Sequence, residues 1–303
     1  MTRIAITGAQ GFLGRALVKA CRTAGVEVHA ISRRVEPTTD TAITSHAVDL
    51  GAGTAVSDLG PILEGVDAVI HAAASFTGDA AQHARDTIGS TQNVIAAMQQ
   101  LTVPPKLVLV SSFSVYDIAS LADFAVLDEQ SPVITLEGAH DAYSHAKRQQ
   151  ELLVSDTTLS TCIVRPGAIY GPGRLWSPQL GFAKAGCVIC PGGQALMPAV
   201  EVDHAATSLV AAALGADAQS IINLVDPDPP TQGAWLAALN QRTIYVSRRW
   251  ILAAGARLGR GEKWAARFKP LSYDMRRART ILGHSPAMSF SAAIAAAKAQ
   301  EAL

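Results

Sequence analysis

The chain has 303 residues, 49% of them hydrophobic, and its 25 Lys and Arg residues are balanced by 25 Asp and Glu residues. This length allows one large domain or two modest ones. Because the net charge is zero, the composition predicts no surface for nucleic acid or for an anionic membrane. No apolar run reaches the roughly 18–20 residues of a spanning helix. The first strand begins just after Met1, so we expect no signal peptide and a cytoplasmic protein.

Four cysteines occur, at positions 21, 162, 187 and 190. Cys187 and Cys190 have the spacing of a redox pair or of half a zinc site. No second cysteine pair and no histidine cluster accompanies them, and the two residues between them are typical of a strand core. We therefore expect no bound metal and no redox role.

In chain order, the first feature is a strand over Arg3–Thr7 that leads into a turn with three glycines, followed by a helix over 12–24. The glycines are Gly8, Gly11 and Gly14. Such a turn directs backbone N–H groups and the positive end of the helix dipole at an anion. Its position in the first βαβ unit is that of a pyrophosphate site. The segment therefore predicts a dinucleotide site.

Further strands and helices alternate along the first two thirds of the chain. The strands are short continuous apolar runs, which are typical of a parallel sheet covered on both faces. We predict an α/β fold with a Rossmann-type doubly wound parallel sheet. The predicted strands lie at 26–32, 42–50, 67–73, 106–110 and 161–165, and the predicted helices at 87–101 and 142–154.

The composition changes after Arg165 to Gly, Pro and isolated apolar segments. We therefore predict a dinucleotide-binding domain over 1–165 and a smaller C-terminal substrate-binding region over 166–303. One strand at 220–226 is expected to return to the sheet. Apolar and aromatic residues within 181–197 and 248–268 are candidates for the walls of a substrate pocket.

The candidate catalytic residues are Ser112, Tyr143 and Lys147. Tyr143 and Lys147 are four residues apart, so they share one face of a helix, and a cation there favours the phenolate. Ser112 follows a predicted strand at the edge where open α/β sheets bind ligands. Taken singly, the Tyr-Lys pair fits a solvated helix face better than a catalytic pair, and the serine fits a turn better than a catalytic role.

The order of these three motifs resembles that of an extended short-chain dehydrogenase/reductase, and the resemblance covers nearly the whole chain. It is closest to the hydroxysteroid dehydrogenase and dihydroflavonol reductase branch, and it implies a Ser-Tyr-Lys triad with a nicotinamide cofactor. Further segments that agree are 48–50, 69–74, 165–173, 200–205 and 222–225. The residues expected to bind the cofactor are Gly8, Gln10, Gly11, Phe12, Leu13, Gly14, Ser32, Arg33, Arg34, Asp49, Leu50, Ala72, Ala73, Ala74, Tyr143, Lys147, Pro166 and Gly167.

The end of the second strand predicts which cofactor binds. An acidic residue there would bind the ribose 2′-hydroxyl of NAD, whereas this chain has Ser32-Arg33-Arg34. Guanidinium groups bind phosphate in bidentate fashion, so NADP(H) is favoured over NAD(H). The alternative is that both arginines are merely solvated.

The sequence departs from the family pattern at two positions. Thr87 stands where the family usually has an asparagine of its proton relay. His204 replaces an aspartate, and we expect it to be a structural histidine.

Two features favour a reductase over a nucleotide-sugar epimerase or dehydratase. Gly167 and Ala168 lack the side chain with which sugar-nucleotide members contact the nucleotide, and Phe113 follows Ser112 where dehydratases have an acid. We therefore predict reduction of the carbonyl of a small apolar substrate, or the reverse oxidation, with no nucleic-acid or membrane partner. The sequence is compatible with a homodimer. A nucleotide-sugar epimerase or dehydratase and a non-catalytic cofactor sensor are the alternatives.

Overall fold

The structure is a computed structural model that describes residues 1–215, 217, 219–283 and 288–301. The strands are β1 Arg3–Thr7, β2 Glu27–Ser32, β3 Ile43–Ala47, β4 Ala68–His71, β5 Lys106–Val110, β6 Val126–Leu127, β7 Thr161–Pro166, β8 Ala168–Tyr170, β9 Phe182–Lys184, β10 Cys187–Pro191, β11 Ala199–Glu201, β12 Ser220–Leu224, β13 Thr243–Val246 and β14 Ser272–Tyr273. The α-helices are α1 Phe12–Thr23, α2 Ala55–Leu63, α3 Ala80–His83, α4 Ser90–Gln99, α5 Ala142–Ser155, α6 Val202–Gly215, α7 Gln232–Ala238, α8 Arg248–Arg257, α9 Gly261–Arg267, α10 Arg276–Leu282 and α11 Phe290–Glu301.

Seven strands form one sheet in the order β12-β7-β5-β4-β1-β2-β3, and every neighbouring pair is parallel. The strand order reverses between β1 and β4, which makes their carboxyl ends a switch point where ligands bind in such folds. The predicted Rossmann-type α/β fold is confirmed. The strand predicted at 220–226 is β12, which pairs with β7.

Both faces of the sheet are covered by helices. Successive side chains of β1 point to opposite faces of the sheet. Ile4 and Ile6 belong to an apolar cluster with α1, α6 and α10, whereas Ala5 belongs to a cluster with α2, α4 and α5. Because both faces are buried at the centre of the sheet, the sequences of β1, β4 and β5 are largely apolar runs and do not alternate, whereas β2 and β3 near one edge carry polar residues. α6, which the sequence analysis did not predict, comes from the second half of the chain and packs against α1.

The later part of the chain adds small sheets at the carboxyl edge of the large one. β8 pairs with β11, β10 lies between β9 and β13, and β6 pairs with β14. A separate apolar cluster there is built around Tyr170 and Trp235. None of the helices within the described residues is long and apolar enough to span a bilayer.

Several predicted boundaries differ from the structure. The predicted strand over 42–50 is limited to Ile43–Ala47, and α2 was not predicted. The predicted helix over 87–101 begins within a π-helical turn, Ala84–Gly89, which continues into α4. π-Helical turns widen a helix locally and often occur at functional sites.

The two closely spaced cysteines both lie on β10. Cys187 and Cys190 are three positions apart, so their side chains point to opposite faces of the strand. Burial raises the pKa of Cys190 to about 11, and its thiol contacts Gln232 Oε1 at 3.8 Å. Cys190 is therefore a packed thiol of the core.

Candidate active site

The glycine turn after β1 packs tightly against the end of β4. Gly8 has a φ of +71°, and a Cβ on it would lie 3.0 Å from the Ala73 backbone. A Cβ on Gly14 would lie 2.0 Å from the Gly8 carbonyl oxygen. No side chain among the described residues caps the N-terminus of α1, so its first N–H groups face the turn without a side-chain partner. This cradle fits a pyrophosphate.

The loop after β2 is tied to the glycine turn. Gln10 Nε2 donates a hydrogen bond to the Arg34 carbonyl oxygen at 2.7 Å, and Ser32 Oγ donates to the same oxygen at 2.6 Å. The Arg33 and Arg34 side chains are exposed. The structure thus brings together the predicted pyrophosphate and 2′-phosphate contacts of the cofactor.

Asp49, one of the residues predicted to bind the cofactor, has a partner that the sequence analysis missed. Arg85, from the π-helical turn, forms an ion pair with Asp49 and a second one with Asp86. Its side chain passes so close to Gly51 that a Cβ there would lie 2.9 Å from the Arg85 Cγ. Leu50 is buried beside this pair. Arg85 was not recognisable from sequence because Asp49 and Arg85 are 36 residues apart.

Close packing of neighbouring backbone segments explains why position 167 is a glycine. Its N–H donates to the Leu224 carbonyl oxygen at 3.0 Å, and a Cβ on it would lie 2.1 Å from the Pro198 carbonyl oxygen. A side chain at this position would therefore displace backbone. Pro166 ends β7 directly before it.

Tyr143 and Lys147 both lie in the first turns of α5. The helix begins with a reciprocal capping box in which Asp141 accepts from Ser144 N at 2.8 Å and Ser144 Oγ accepts from Asp141 N at 3.2 Å. Ser112, the residue after the buried Ser111 that follows β5, lies close enough to the Tyr143 phenol for its side chain to lower the pKa of that phenol. The predicted catalytic serine and tyrosine are therefore neighbours at the carboxyl edge of the sheet.

Aromatic rings surround the Tyr143 phenol. The Phe76 ring packs edge-on at 5.4 Å between centroids, and the His83 ring does so at 6.2 Å. His83 is buried, and its Nδ1 has no hydrogen-bond partner among the described residues. Neither Phe76 nor His83 was a sequence candidate, because each precedes the triad by many residues and belongs to no motif.

Burial controls the protonation of both titratable groups of the triad. Burial raises the pKa of Tyr143, with Asp141 adding to the rise and with Ser112 and Arg174 opposing it. Burial lowers the pKa of Lys147 to about 8, partly offset by Glu151. Lys147 Nζ donates to the Val110 carbonyl oxygen at 2.8 Å. The pKa of Tyr143 is therefore raised and not lowered in the free protein, because burial has the largest effect on the phenol and Lys147 is not among the groups that shift it.

Thr87 has a structural role in place of the expected relay asparagine. It is buried, and its Oγ1 accepts a hydrogen bond from Ser75 N at 3.0 Å. Its carbonyl oxygen accepts from Thr91 Oγ1 at 2.7 Å and from Ser90 Oγ at 3.1 Å. The first bond ties the π-helical turn to the loop after β4, and the other two tie it to the start of α4.

A buried polar network beside Lys147 was also missed. The His71 ring bonds Thr7 Oγ1 at 2.8 Å through Nδ1 and Thr91 Oγ1 at 3.0 Å through Nε2. Gln150 Nε2 donates to the same Thr91 oxygen at 2.6 Å. Burial, with a smaller effect of Lys147, lowers the pKa of His71 to about 3. The ring is therefore neutral, and it ties β1, β4 and α4 together.

His204 is held in a buried structural contact, in agreement with its predicted role. Its Nδ1 lies 2.6 Å from Asp226 Oδ1. The other Asp226 oxygen accepts from Tyr170 OH at 3.2 Å and from Glu201 N at 3.1 Å. Asp226, at the end of β12, thus joins α6 to the Tyr170 cluster.

The two segments predicted as apolar walls meet only in part. The Phe182 ring packs against the rings of Trp264 and Phe268, at 4.6 and 5.3 Å between centroids, whereas Trp250 is 62% exposed and Leu258 is 66% exposed. The helical spacing of the apolar residues within 248–268 is explained by the packing of α8 against α9.

Comparison with known proteins assigns the chain to a family. The model of the NAD dependent epimerase/dehydratase family matches residues 4–224. This match includes the glycine turn, Ser112, Tyr143 and Lys147.

Individual relatives differ in function. The chain is 28% identical over 250 residues to a 3-diazoavenalumate denitrifying reductase from a Streptomyces species, a match that covers 77% of this chain and 79% of that protein. It is 30% identical over 188 residues to short-chain dehydrogenase/reductase family 42E member 1 of Bos taurus, covering 56% of this chain and about half of that protein (47%). The structure of UDP-glucuronic acid 4-epimerase from Bacillus cereus in complex with NAD superposes with a TM-score of 0.74 at 18% identity, covering 99% of this chain and 100% of that one.

Proposed function

Because the chain belongs to the NAD dependent epimerase/dehydratase family and is an NAD-dependent enzyme of the oxidoreductase type, we propose that it reduces the carbonyl group of a small substrate with NADPH. The observation that carries the proposal is the proximity of the Ser112 side chain to the Tyr143 phenol, whose pKa it lowers against the effect of burial. This proximity supports a hydrogen-bond donor and an acid that act on one substrate oxygen at the carboxyl edge of the sheet.

Each residue of the triad has a separate task in this mechanism. Ser112 donates a hydrogen bond to the substrate oxygen, and the Tyr143 phenol gives its proton to that oxygen as it becomes an alkoxide. Lys147 places a positive charge near the reacting atoms below its pKa of about 8. A bound nicotinamide cofactor supplies the hydride. Oxidation of the alcohol uses the same residues in reverse.

The alternative is a nucleotide-sugar epimerase or dehydratase, the activity named for the family. Against it stands the segment at Gly167, where the Pro198 carbonyl oxygen occupies the space of any side chain. We therefore expect UDP-glucose and dTDP-glucose not to bind, and a simple aldehyde or ketone to consume one NADPH per alcohol formed. Saturation-transfer NMR with both sugars and cofactor absorbance with a carbonyl panel measure this. Micromolar binding of either sugar would support the alternative.

The preference for NADP(H) rests on the two exposed arginines after β2. Substitution Arg33→Ala should weaken NADPH binding by about 1.5–3 kcal/mol, the size of a charge-assisted hydrogen bond, and leave NADH binding nearly unchanged. Calorimetric titration with both cofactors tests this, with Arg249→Ala, an exposed arginine on α8, as the control. Tighter binding of NADH than of NADPH by the unmodified protein contradicts the preference.

A further inference from the structure

Arg174 follows β8 in a tight turn and has no assigned role in the proposed mechanism. Its N–H donates to the Gly171 carbonyl oxygen at 2.9 Å, and Gly171 N donates back to the Arg174 carbonyl oxygen at 3.3 Å. A Cβ on Gly171 would lie 3.2 Å from the Phe12 ring. The backbone of Arg174 is therefore fixed close to the first residue of α1.

Two aromatic rings hold the Arg174 guanidinium. Its central carbon lies 5.0 Å from the centroid of the Phe12 ring and 5.4 Å from that of Phe76. Phe12 lies between Gly11 and Gly14 of the glycine turn, and the Phe76 ring packs edge-on against Tyr143. Stacking uses the faces of a guanidinium and leaves its N–H groups, which lie in the plane, available to an acceptor.

The charge of Arg174 lowers the pKa of the Tyr143 phenol, and it has no acidic partner among the described residues. The ion pairs of the described residues include Arg85 and Arg165 near the site but not Arg174, whose side chain is exposed. A fixed, unpaired arginine beside a catalytic acid is suited to bind a planar anion in bidentate fashion.

We propose that Arg174 determines substrate specificity by binding a carboxylate carried by the carbonyl substrate. The proposal rests on the reductase function proposed above. The carboxylate site narrows the substrate class from small carbonyl compounds to oxo acids. In these acids the carboxylate is separated from the carbonyl carbon that is reduced. Phe12 and Phe76 provide the apolar surface beside that carboxylate.

The test compares a charged probe with its neutral ester. In Arg174→Gln, kcat/KM for 4-carboxybenzaldehyde should fall about 10- to 100-fold, while kcat/KM for methyl 4-formylbenzoate should change less than about 3-fold. Arg174→Lys keeps the charge but loses the planar fork, so it should recover only part of the selectivity. Arg249→Gln is the matched control, since Arg249 is also exposed and lies 5.2 Å over a ring, that of Trp250, on α8.

A binding measurement separates this proposal from the proposed function. Saturation-transfer NMR of 4-(hydroxymethyl)benzoate on the protein loaded with NADP⁺ should show binding that Arg174→Gln weakens. If the unmodified protein reduces neither aldehyde but still binds this acid through Arg174, the reductase function fails and the carboxylate site stands. Three results in Arg174→Gln would overturn the carboxylate site. They are an equal loss of kcat/KM for the acid and for the ester, unchanged binding of the acid, or a loss of NADPH affinity that matches the loss of acid binding. The last result would assign Arg174 to a cofactor phosphate.

Discussion

Tyr143 is the residue on which the proposed chemistry depends most directly. Burial raises its pKa, so the phenol is fully protonated at neutral pH and is an acid rather than a base in the free protein. Tyr143→Phe should leave the fold and NADPH binding intact and lower kcat by about 10²–10⁴-fold, because the donated proton is lost. Steady-state kinetics and NADPH titration measure both effects. A near-normal kcat in this variant would contradict the assignment of Tyr143 as the proton donor.

Lys147 gives the site a pH dependence near physiological pH. Because the folded-state pKa is about 8, the ammonium is lost as pH rises through 8, while the phenol of Tyr143 stays protonated. We expect kcat/KM for carbonyl reduction to fall about tenfold per pH unit above 8. A buffer series from pH 6.5 to 9.5 tests this, and a flat profile over that range contradicts it.

The titration of Lys147 does not destabilise the fold over this pH range. The Lys147 pKa lies below its ordinary value of 10.5, so between pH 8 and 10.5 the unfolded chain binds more protons at this group than the folded one. Its contribution to stability therefore increases with pH in that window. A melting curve recorded at each pH is the appropriate control.

At the scale of elements, α5 connects the triad to the core of the sheet. Glu151, one turn beyond Lys147, forms a buried bidentate pair with Arg165 of β7 at 2.8 and 2.7 Å and accepts from Ser111 Oγ at 2.5 Å. Arg165 also donates to Tyr116 OH at 3.1 Å. The position of α5 thus depends on a fully desolvated ion pair.

Removing one partner of that pair should be costly. Glu151→Gln leaves the buried Arg165 without a counter-charge, so we expect a loss of about 3–5 kcal/mol in the free energy of unfolding. The control is Arg148→Gln, since Arg148 lies 3.6 Å from Glu151 but is 21% exposed and should contribute less than about 1 kcal/mol. Urea denaturation measures both variants. Equal losses would show that burial does not control the strength of these pairs.

At the scale of the whole molecule, the two predicted regions are interleaved. β12 completes the sheet beside β7, and α6 covers the same face as α1, with an exposed ion pair of 2.7 Å between Lys19 and Asp203. The division into 1–165 and 166–303 and the homodimer both stay predictions. The interleaving explains how Gly171 and Arg174, from the second region, come to lie against Phe12 of the first.

The sequence by itself determined the local elements and the motifs with short spacing. Continuous apolar runs indicated strands buried on both faces, and the glycine turn indicated the pyrophosphate cradle, because a single residue pattern encodes each of them. Tyr143 and Lys147 were recognisable because a helix places residues four apart on one face. Ser112 was found from its place at a strand end and from the family resemblance.

The tertiary structure alone decided which distant groups meet and how burial sets their charge. The Asp49–Arg85 pair, the His71 network and Arg174 between its two rings each join residues from separate elements, so no spacing in the sequence reveals them. The expected effect of Lys147 on Tyr143 was wrong for the same reason. Helix geometry predicts proximity, but the pKa of Tyr143 depends on how many atoms of other elements exclude water from the phenol.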